Sequence, residues 1–286
     1  MLSEPDFCPQ SLNKYASLMA TGNGYLGCRA SHEEAYTHQT RGMYLAGLYH
    51  RSGKGEINEI VNLPDVIGVD ILLNGALFSL LSGTLESWRR ELDFASGELT
   101  RSIIWRAPDG ARFAIECRRF ASAEQLPLLA MSLSITPLGS DATVTLSTGI
   151  DATVTNHGRQ HLDETQVLVF GQHLLQGIYT TQDGQSHVAV STHCSVNGDA
   201  QTCFTAKERQ LMQHTHVQVK AGECLTLEKL TWVDWTDARD VSLETWGQQG
   251  IHHLNACVSQ GMTRYWRNLA QTGTAGGSIA GLRWIA

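Results

Sequence analysis

Two adjacent glutamates near the start of the chain, Glu33 and Glu34, carry the groups that acid–base cleavage of a glycosidic bond uses. Such cleavage commonly places one carboxyl group on either side of the bond. Neighbouring residues of an extended segment point to opposite faces, so these two side chains cannot flank one bond together. We therefore expect Glu33 and Glu34 to form structural hydrogen bonds inside the glycine-rich loop at residues 22–25.

The histidines offer acid–base and metal chemistry, and two close pairs occur among the twelve. His214 and His216 would share one face of a strand and could bind zinc, but the sequence suggests no third ligand nearby. His252 and His253 would diverge by about 100° around a helix. The seven cysteines are scattered without a C-x-x-C pair, which is typical of buried, reduced side chains. The sequence therefore predicts neither a metal site nor a cofactor.

A sugar epimerase of the mutarotase kind would require a histidine acid and a glutamate base that converge in one cleft. His157, His161 or His173 could be combined with Glu164, although the spacing of these residues does not single them out. The epimerase therefore stays open as an alternative without a defined site.

Four tryptophans lie within or beside the predicted strands. If they were exposed on a sheet, they would provide the stacking platform of a stand-alone carbohydrate-binding domain. Large aromatic side chains more often anchor the core of such a domain. We therefore predict that Trp88, Trp105, Trp232 and Trp235 are core residues, and an exposed platform is the alternative.

The overall composition is that of a globular domain with a full-sized core, since 42% of the residues are hydrophobic and 17% are charged. The net charge of -7 and the lack of a basic block argue against nucleic acid or an anionic membrane as a partner. No apolar run reaches the roughly 18 residues that a membrane-spanning helix needs. The first residues lack the features of a signal peptide, so we expect a cytoplasmic protein.

Short alternating runs, separated by turn residues, predict β-strands between residues 66 and 235. Asn74-Gly75 between two such runs predicts a hairpin with a type I′ turn. In the run 129–136, apolar residues alternate with small or polar ones, which is typical of a half-buried antiparallel strand. The candidate strands are 66–73, 76–81, 99–106, 112–120, 129–136, 143–147, 166–170, 174–180, 187–194, 214–219 and 225–232.

So many short strands predict a mainly β fold, in which two large antiparallel sheets pack face to face over residues 1–238. Residues 239–270 have helical composition and predict a linker of one or two helices, laid on the sandwich or directed at something beyond it. Without a further domain, we expect their apolar residues, Trp266 and Leu269 among them, to stay partly exposed and to drive self-association. The glycine-rich residues 271–286 predict a disordered or frameshifted tail.

Five segments occur in an order that carries a family resemblance. They are Thr21–Arg29, Gly42–Tyr49, Glu59–Asp65, Leu92–Arg101 and Gly149–Asn156. In this order they resemble the N-terminal domain of glycoside hydrolase family 65, the maltose, trehalose and kojibiose phosphorylases, over residues 11–270. The resemblance implies a large sandwich of the galactose mutarotase type, and a helical linker that leads to a catalytic (α/α)6 barrel.

The resemblance also implies a function. Members of the family cleave an α-glucoside disaccharide with inorganic phosphate, and the catalytic acid and phosphate site lie in the barrel, which this sequence does not reach. We therefore expect a non-catalytic N-terminal fragment whose role is scaffolding and assembly of a homodimer. The motif loops contain seven positions without a defined role: Asn23, Gly24, Arg29, Glu34, Asn62, Pro64 and Asp65.

Overall fold

The computed structural model describes residues 1–51, 57–239 and 241–266. These residues form strands β1 to β19, which span, in chain order, Leu2–Glu4, Thr21–Gly22, Leu26–Cys28, Met43–Leu45, Tyr49–His50, Glu59–Ile60, Val69–Leu73, Ala76–Leu77, Thr84–Asp93, Glu98–Arg106, Arg112–Ala121, Leu128–Pro137, Ala142–Asp151, Leu162–Phe170, Leu174–Thr181, Ser186–Val196, Gln201–Lys207, Gln210–Val219 and Leu225–Asp237. Helix α1 spans Leu12–Leu18 and helix α2 spans Leu243–Gln260.

Two antiparallel sheets form the sandwich. The larger has nine strands in the order β1-β9-β10-β11-β12-β19-β16-β15-β14, and the smaller has five in the order β17-β18-β13-β7-β8. Strands β2, β3 and β4 form a small sheet, and β5 pairs with β6. The predicted mainly β sandwich of antiparallel sheets is confirmed.

The hairpin predicted from local sequence is present. Asn74 and Gly75 have φ angles of 52° and 81°, as a type I′ turn requires, and they join β7 to β8. Strands β10 and β11 form a second hairpin. Strands β9 and β17 were not predicted, because charged residues dominate the first and polar residues the second.

Strand β12 shows how the sandwich core is built. Leu129, Met131, Leu133 and Ile135 are buried with the apolar residues of the five-stranded sheet, as their alternation predicts. Ala130 points to the opposite face of the nine-stranded sheet, where α2 packs. The nine-stranded sheet therefore has an inner face against the second sheet and an outer face partly covered by the helix.

Helix α2 begins at a Ser242 cap, whose hydroxyl accepts a hydrogen bond from the Thr245 amide at 3.3 Å. Gly247 and Gly250 are buried in this helix although glycine disfavours helices. A Cβ on Gly247 would lie 2.7 Å from Ile178 Cδ1, so the missing side chain allows the helix to approach the sheet.

Helix α2 and residues 262–266 lie on the sandwich, so the expected exposed patch is only partly present: Tyr265 is buried, whereas Trp246 and Trp266 are half-buried. The expected self-association stays a prediction. The buried residues of this second core, from helix and sheet together, are Phe120, Leu128, Ala130, Leu174, Leu230, Trp232, Leu254, Cys257, Met262 and Tyr265. Trp266 is half-buried, packs edge-on against Phe120 and donates its indole N–H to Glu98 at 2.6 Å. This apolar surface packs against the outer face of the nine-stranded sheet.

Leu269 and the predicted tail 271–286 lie outside the described residues. Among the described ranges, no helix has the length and hydropathy needed to cross a membrane.

Candidate functional site

The segment at residues 31–36, which carries the paired glutamates, lies over three buried arginines. Arg90, Arg101 and Arg119 come from the neighbouring strands β9, β10 and β11. Arg101 lies directly opposite Arg90 in the strand register. The three guanidinium groups therefore share the inner face of the nine-stranded sheet with its apolar core.

Both glutamates bind these arginines. Arg101 donates to Glu34 Oε1 and Oε2 at 2.6 and 2.7 Å, and its Nη2 also lies 2.7 Å from Glu33 Oε2. Arg119 Nη1 donates to Glu33 Oε1 at 2.6 Å, and the Tyr36 hydroxyl donates to Glu34 Oε1 at 2.7 Å. The carboxylates thus have a structural role, but their partners are arginines of the sheet and not the glycine-rich loop.

The charges of this cluster are set by its geometry. Burial opposes ionisation of Glu33, but Arg101 and Arg119 outweigh it and hold its pKa at about 2. Burial likewise opposes ionisation of Glu34, yet Arg101 lowers its pKa. Burial, reinforced by the neighbouring arginines, lowers the pKa of His32 well below its usual value. Near neutral pH the two glutamates are therefore ionised and His32 is uncharged.

The same arginines tie the backbone of this segment to the sheet. Arg119 Nη2 donates to the Ser31 carbonyl at 2.6 Å, and Arg90 donates to the Ala30 carbonyl. Arg90 also binds Glu4 of the first strand at 2.7 Å. The cluster therefore joins the N-terminal strand, the 31–36 segment and the large sheet.

A second corner forms around Asp65. Arg41 Nη1 lies 3.1 Å from Asp65 Oδ2, and Arg41 Nη2 donates to the Glu33 carbonyl at 2.9 Å. Asp65 also accepts from the Gly68 amide at 3.0 Å. Asp65 and Asp151 exchange backbone hydrogen bonds at 2.8 Å in both directions. Two motif segments that are distant in sequence, 59–65 and 149–156, therefore meet here beside the 31–36 segment.

Asn62 joins this corner to the next loop. Its Oδ1 accepts from the Met43 amide at 3.1 Å, and its Nδ2 lies 3.2 Å from the Arg41 and Thr155 carbonyls. The side chain of Pro64 is buried beside it. The side chain of Asn62 therefore ties the loop to two distant backbone segments, and Asp65 carries the only charge among the four side chains of the loop.

A cleft of about 150 Å³ opens at this corner. Its polar lining includes Glu33, Arg41, Asp65, Asp70, Asp151 and Gln210. Arginines already bind two of these carboxylates, and Gln210 donates to Asp151 Oδ2 at 3.0 Å. The cleft is therefore a polar surface at the meeting point of the motifs, and not a pair of free acid–base groups.

The glycine-rich loop lies apart from the glutamates. Asn23 Oδ1 accepts from the Leu26 amide at 2.8 Å, and its Nδ2 donates to the Ser122 carbonyl at 2.6 Å. Gly24 has a φ of 89°, which explains the glycine at this position. Arg29 donates to backbone carbonyls at 3.2 Å. Asn23 therefore fixes the loop against the β11–β12 turn, whereas Arg29 binds the Asn13 and Thr40 carbonyls.

Lys229 continues the polar interior on the other side of the Asp65 corner. It is buried between the sheets, and its Nζ lies 2.8 Å from both Thr148 Oγ1 and the Gly149 carbonyl. Thr148 in turn donates to the Gly68 carbonyl at 2.7 Å. Burial lowers the pKa of Lys229, and both of its hydrogen-bond acceptors are uncharged.

The histidines considered for an epimerase do not form its acid–base pair. His161 is buried, with Nδ1 at 2.7 Å from His50 Nδ1 and Nε2 at 2.8 Å from Glu59 Oε2. His157, His173 and Glu164 are exposed. The carboxylate beside His161 is therefore Glu59 and not Glu164, and no open cleft gathers the proposed set.

The two close histidine pairs have other partners. His214 lies 2.8 Å from the hydroxyls of Ser147 and Thr205, and His216 lies 2.9 Å from that of Thr145. His253 stacks on the indole ring of Trp232, with the ring centroids 4.8 Å apart. Within the described part of the chain, no three histidine, cysteine, aspartate or glutamate residues are arranged to hold a metal ion.

The four tryptophans belong to the fold rather than to an exposed platform. Trp105 and Trp232 are buried. Trp88 and Trp235 are half-buried and donate their indole N–H groups to backbone carbonyls at 2.9 and 3.1 Å. The core prediction is confirmed in full for Trp105 and Trp232 and in part for Trp88 and Trp235. Nothing in the arrangement of the four rings favours carbohydrate stacking.

The residues that sequence reasoning missed are basic: Arg90, Arg101, Arg119 and Lys229 are buried, and Arg41 is half-buried. One local signal was present. Arg101 occupies an inward position of β10, two residues from Leu99 and Ile103, where alternation predicts an apolar side chain. A charged residue at such a position indicates a buried partner of opposite charge.

The comparisons with known proteins agree with this architecture. A family model described as glycosyl hydrolase family 65, N-terminal domain, matches residues 2–271. Kojibiose phosphorylase of Escherichia coli strain K12 is 64% identical over 259 residues, which are 91% of this chain and 34% of that protein. Kojibiose phosphorylase of Halothermothrix orenii is 35% identical over 237 residues, 80% of this chain and 30% of that protein. The chain spans about a third of the length of these relatives.

A solved structure supports the fold. It is a candidate kojibiose phosphorylase from the human microbiome. The match covers 95% of this chain and 37% of that protein's chain, with a TM-score of 0.86. At 15% identity this likeness shows the fold alone. Because the family model spans nearly the whole sequence, the chain belongs to the family of glycosyl hydrolase family 65 N-terminal domains.

Proposed function

We propose that this chain is the non-catalytic N-terminal sandwich of a disaccharide phosphorylase, and that the whole protein acts on kojibiose with inorganic phosphate. The observation that carries the proposal is the 64% identity to the kojibiose phosphorylase of E. coli over 91% of the chain. Catalysis would belong to the part of the relatives that this chain does not span.

The cluster around Glu33 and Glu34 supports a scaffolding role. Arg101 and Arg119 bind both carboxylates, so neither is free to donate or accept a proton in a reaction. Such a network fixes the 31–36 segment and the Asp65 corner against the sheet. We propose that this rigid surface, the sandwich over residues 1–238 and the linker over 239–270 position a catalytic domain in the whole protein.

The compartment and the assembly are further parts of this proposal. The seven cysteines are free, which supports a reducing compartment, and we propose the cytoplasm. The homodimer that the family resemblance implies is proposed for the whole protein.

A domain exchange tests the proposed function. Residues 1–266 of this chain would replace the matching N-terminal segment of the E. coli relative. We expect phosphate-dependent release of glucose 1-phosphate from kojibiose. An exchange protein with Arg101→Ala should lose activity together with folding, whereas one with the exposed Arg89→Ala should keep both. A folded but inactive exchange protein would contradict the proposal.

A further inference from the structure

We propose that His50 and His161 form a proton-dependent clasp, which holds strand β5 on the large sheet near neutral pH and loosens in acid. Their Nδ1 atoms lie 2.7 Å apart, and both side chains are buried. The inference rests on the geometry of the two rings and does not depend on the phosphorylase proposal.

The clasp joins parts of the chain that are 111 residues apart. His50 lies in β5, directly after the motif segment Gly42–Tyr49, and β5 pairs with β6. His161 precedes β14, and its carbonyl accepts a hydrogen bond from the Gln182 amide at 3.1 Å. The two rings therefore link the β5–β6 pair to the end of the nine-stranded sheet where β14 meets β15.

The geometry limits the number of protons that the closed pair can hold. A hydrogen bond between two Nδ1 atoms requires one proton, which one ring donates to the lone pair of the other. A second proton fits on His161 Nε2, which lies 2.8 Å from Glu59 Oε2. A third fits on His50 Nε2, which lies 4.0 Å from Asp183 Oδ2. The closed pair therefore exists with two or three ring protons, at a charge of 0 or +1.

A fourth proton is incompatible with the closed pair. Both Nδ1 atoms would then carry a hydrogen, and two N–H donors would face each other at 2.7 Å. Both rings would also be positively charged in a buried place, where like charges repel each other strongly. In acid the two rings must therefore separate, or one of them must stay uncharged at a cost to stability.

The carboxylates around His50 do not remove this limit. Asp183, Asp163 and Glu59 favour the charged form of His50, but burial outweighs them and lowers its pKa. The side chains of Glu59 and Asp183 are 42% and 39% exposed, so water screens their charges. His50 is therefore the ring that stays uncharged while the clasp is closed.

The cations on the neighbouring elements do not take the place of the shared proton. Arg51 follows His50 and donates to Asn58 Oδ1 at 3.0 Å. Arg209 donates to the Leu162 carbonyl at 2.9 Å. Arg159 lies in the turn before His161, where its backbone pairs with that of Asn156. The bond between the two Nδ1 atoms is thus a direct contact of the imidazoles.

His50→Asn tests the clasp by urea unfolding of the full 286-residue chain. The asparagine amide can turn to donate to His161 Nδ1 or to accept from it, so its bond tolerates either protonation state. A histidine that stays neutral in the fold, but has the ordinary pKa of 6.5 when unfolded, weakens folding roughly thirtyfold at about pH 5. We expect the unfolding constant of the wild type, divided by that of His50→Asn, to rise at least about tenfold between about pH 7.5 and 5.

His157→Asn is the matched control. His157 is exposed, and its φ of 48° is one that asparagine tolerates well. The unfolding constant of the wild type, divided by that of this variant, should stay the same over this pH range. A ratio that is also unchanged for His50→Asn would overturn the proposal.

NMR of the ring nitrogens tests the clasp in the wild-type chain, whether or not a variant folds. Near neutral pH the nitrogen shifts of His50 and His161 should show one hydrogen between the two Nδ1 atoms. On acidification the fourth ring proton should appear together with loss of this signal and of amide protection in β5 and β6, while β12 stays protected. Absence of the shared hydrogen near neutral pH, or two fully protonated rings with β5 and β6 still protected, would overturn the proposal.

Discussion

Arg101 holds Glu34 with two parallel hydrogen bonds, at 2.6 Å from Nη1 to Oε1 and at 2.7 Å from Nη2 to Oε2. Both side chains are buried. The pair joins strand β10 to a segment that lies more than sixty residues earlier in the chain. It is the centre of the cluster that fixes the N-terminal motifs on the sandwich.

Loss of Arg101 should destabilise the fold severely. In Arg101→Ala two carboxylates stay buried without their main partner, and we expect a loss of about 3–5 kcal/mol in the free energy of unfolding. Arg89→Ala removes the exposed ion pair between Arg89 and Glu91 of the same strand and should leave the free energy of unfolding almost unchanged. Urea unfolding measures both. Equal effects would show that the buried cluster does not stabilise the fold.

Stability should fall at acid pH because of Glu33. Its pKa is about 2 in the fold and 4.5 ordinarily, so its contribution is complete above pH 4.5 and is lost as the pH falls towards 2. The contribution amounts to about 3 kcal/mol. Urea unfolding at several pH values measures the slope of the unfolding free energy against pH. Glu33→Gln should flatten it over this window, and an unchanged slope would argue against the ion pairs.

Lys229 should produce a second pH window, below pH 10.5, in which stability again rises with pH. Its pKa is lowered in the fold from 10.5, so the unfolded chain binds more protons between the two values and folding becomes more favourable as the pH rises through them. The difference in unfolding free energy between the wild type and Lys229→Met should therefore shift in favour of the wild type up to pH 10.5. A difference that is constant with pH would mean that Lys229 stays charged.

Gly149 should not tolerate a side chain. A Cβ there would lie 2.0 Å from the Leu211 carbonyl oxygen, so β13 and β18 would have to separate. We expect Gly149→Ala to cost about 3 kcal/mol or more. Gly27→Ala, at a strand position with nothing within 4 Å, should change stability by less than about 1 kcal/mol. Thermal unfolding of the two variants compares them directly.

The parts of the fold that follow from local sequence were predictable. The alternation in 129–136 and the Asn74-Gly75 turn are properties of a few neighbouring residues, and both are present as expected. Strand β9 was missed because its exposed face and its buried Arg90 interrupt the apolar pattern.

The candidate site was less predictable, because its contacts are distant in sequence. Glu33 and Arg119 lie 86 residues apart in the chain, and no spacing within either segment indicates that they meet. The position of the linker was also left open. Gly247 and Gly250 weaken a helix in isolation, and only the surface of the sheet explains them. The family resemblance, carried by five ordered segments, identified the family, which the periodicity of the strands could not do.

The most direct test of the proposed scaffolding function is a phosphorolysis assay on the 286-residue chain alone. Kojibiose, trehalose, maltose and nigerose would each be supplied with inorganic phosphate, and the domain-exchange protein assayed in parallel would serve as the positive control. The account predicts release of glucose 1-phosphate from kojibiose by the exchange protein and none from any sugar by the chain alone. Phosphate-dependent release by the chain alone, above a protein-free blank, would contradict it.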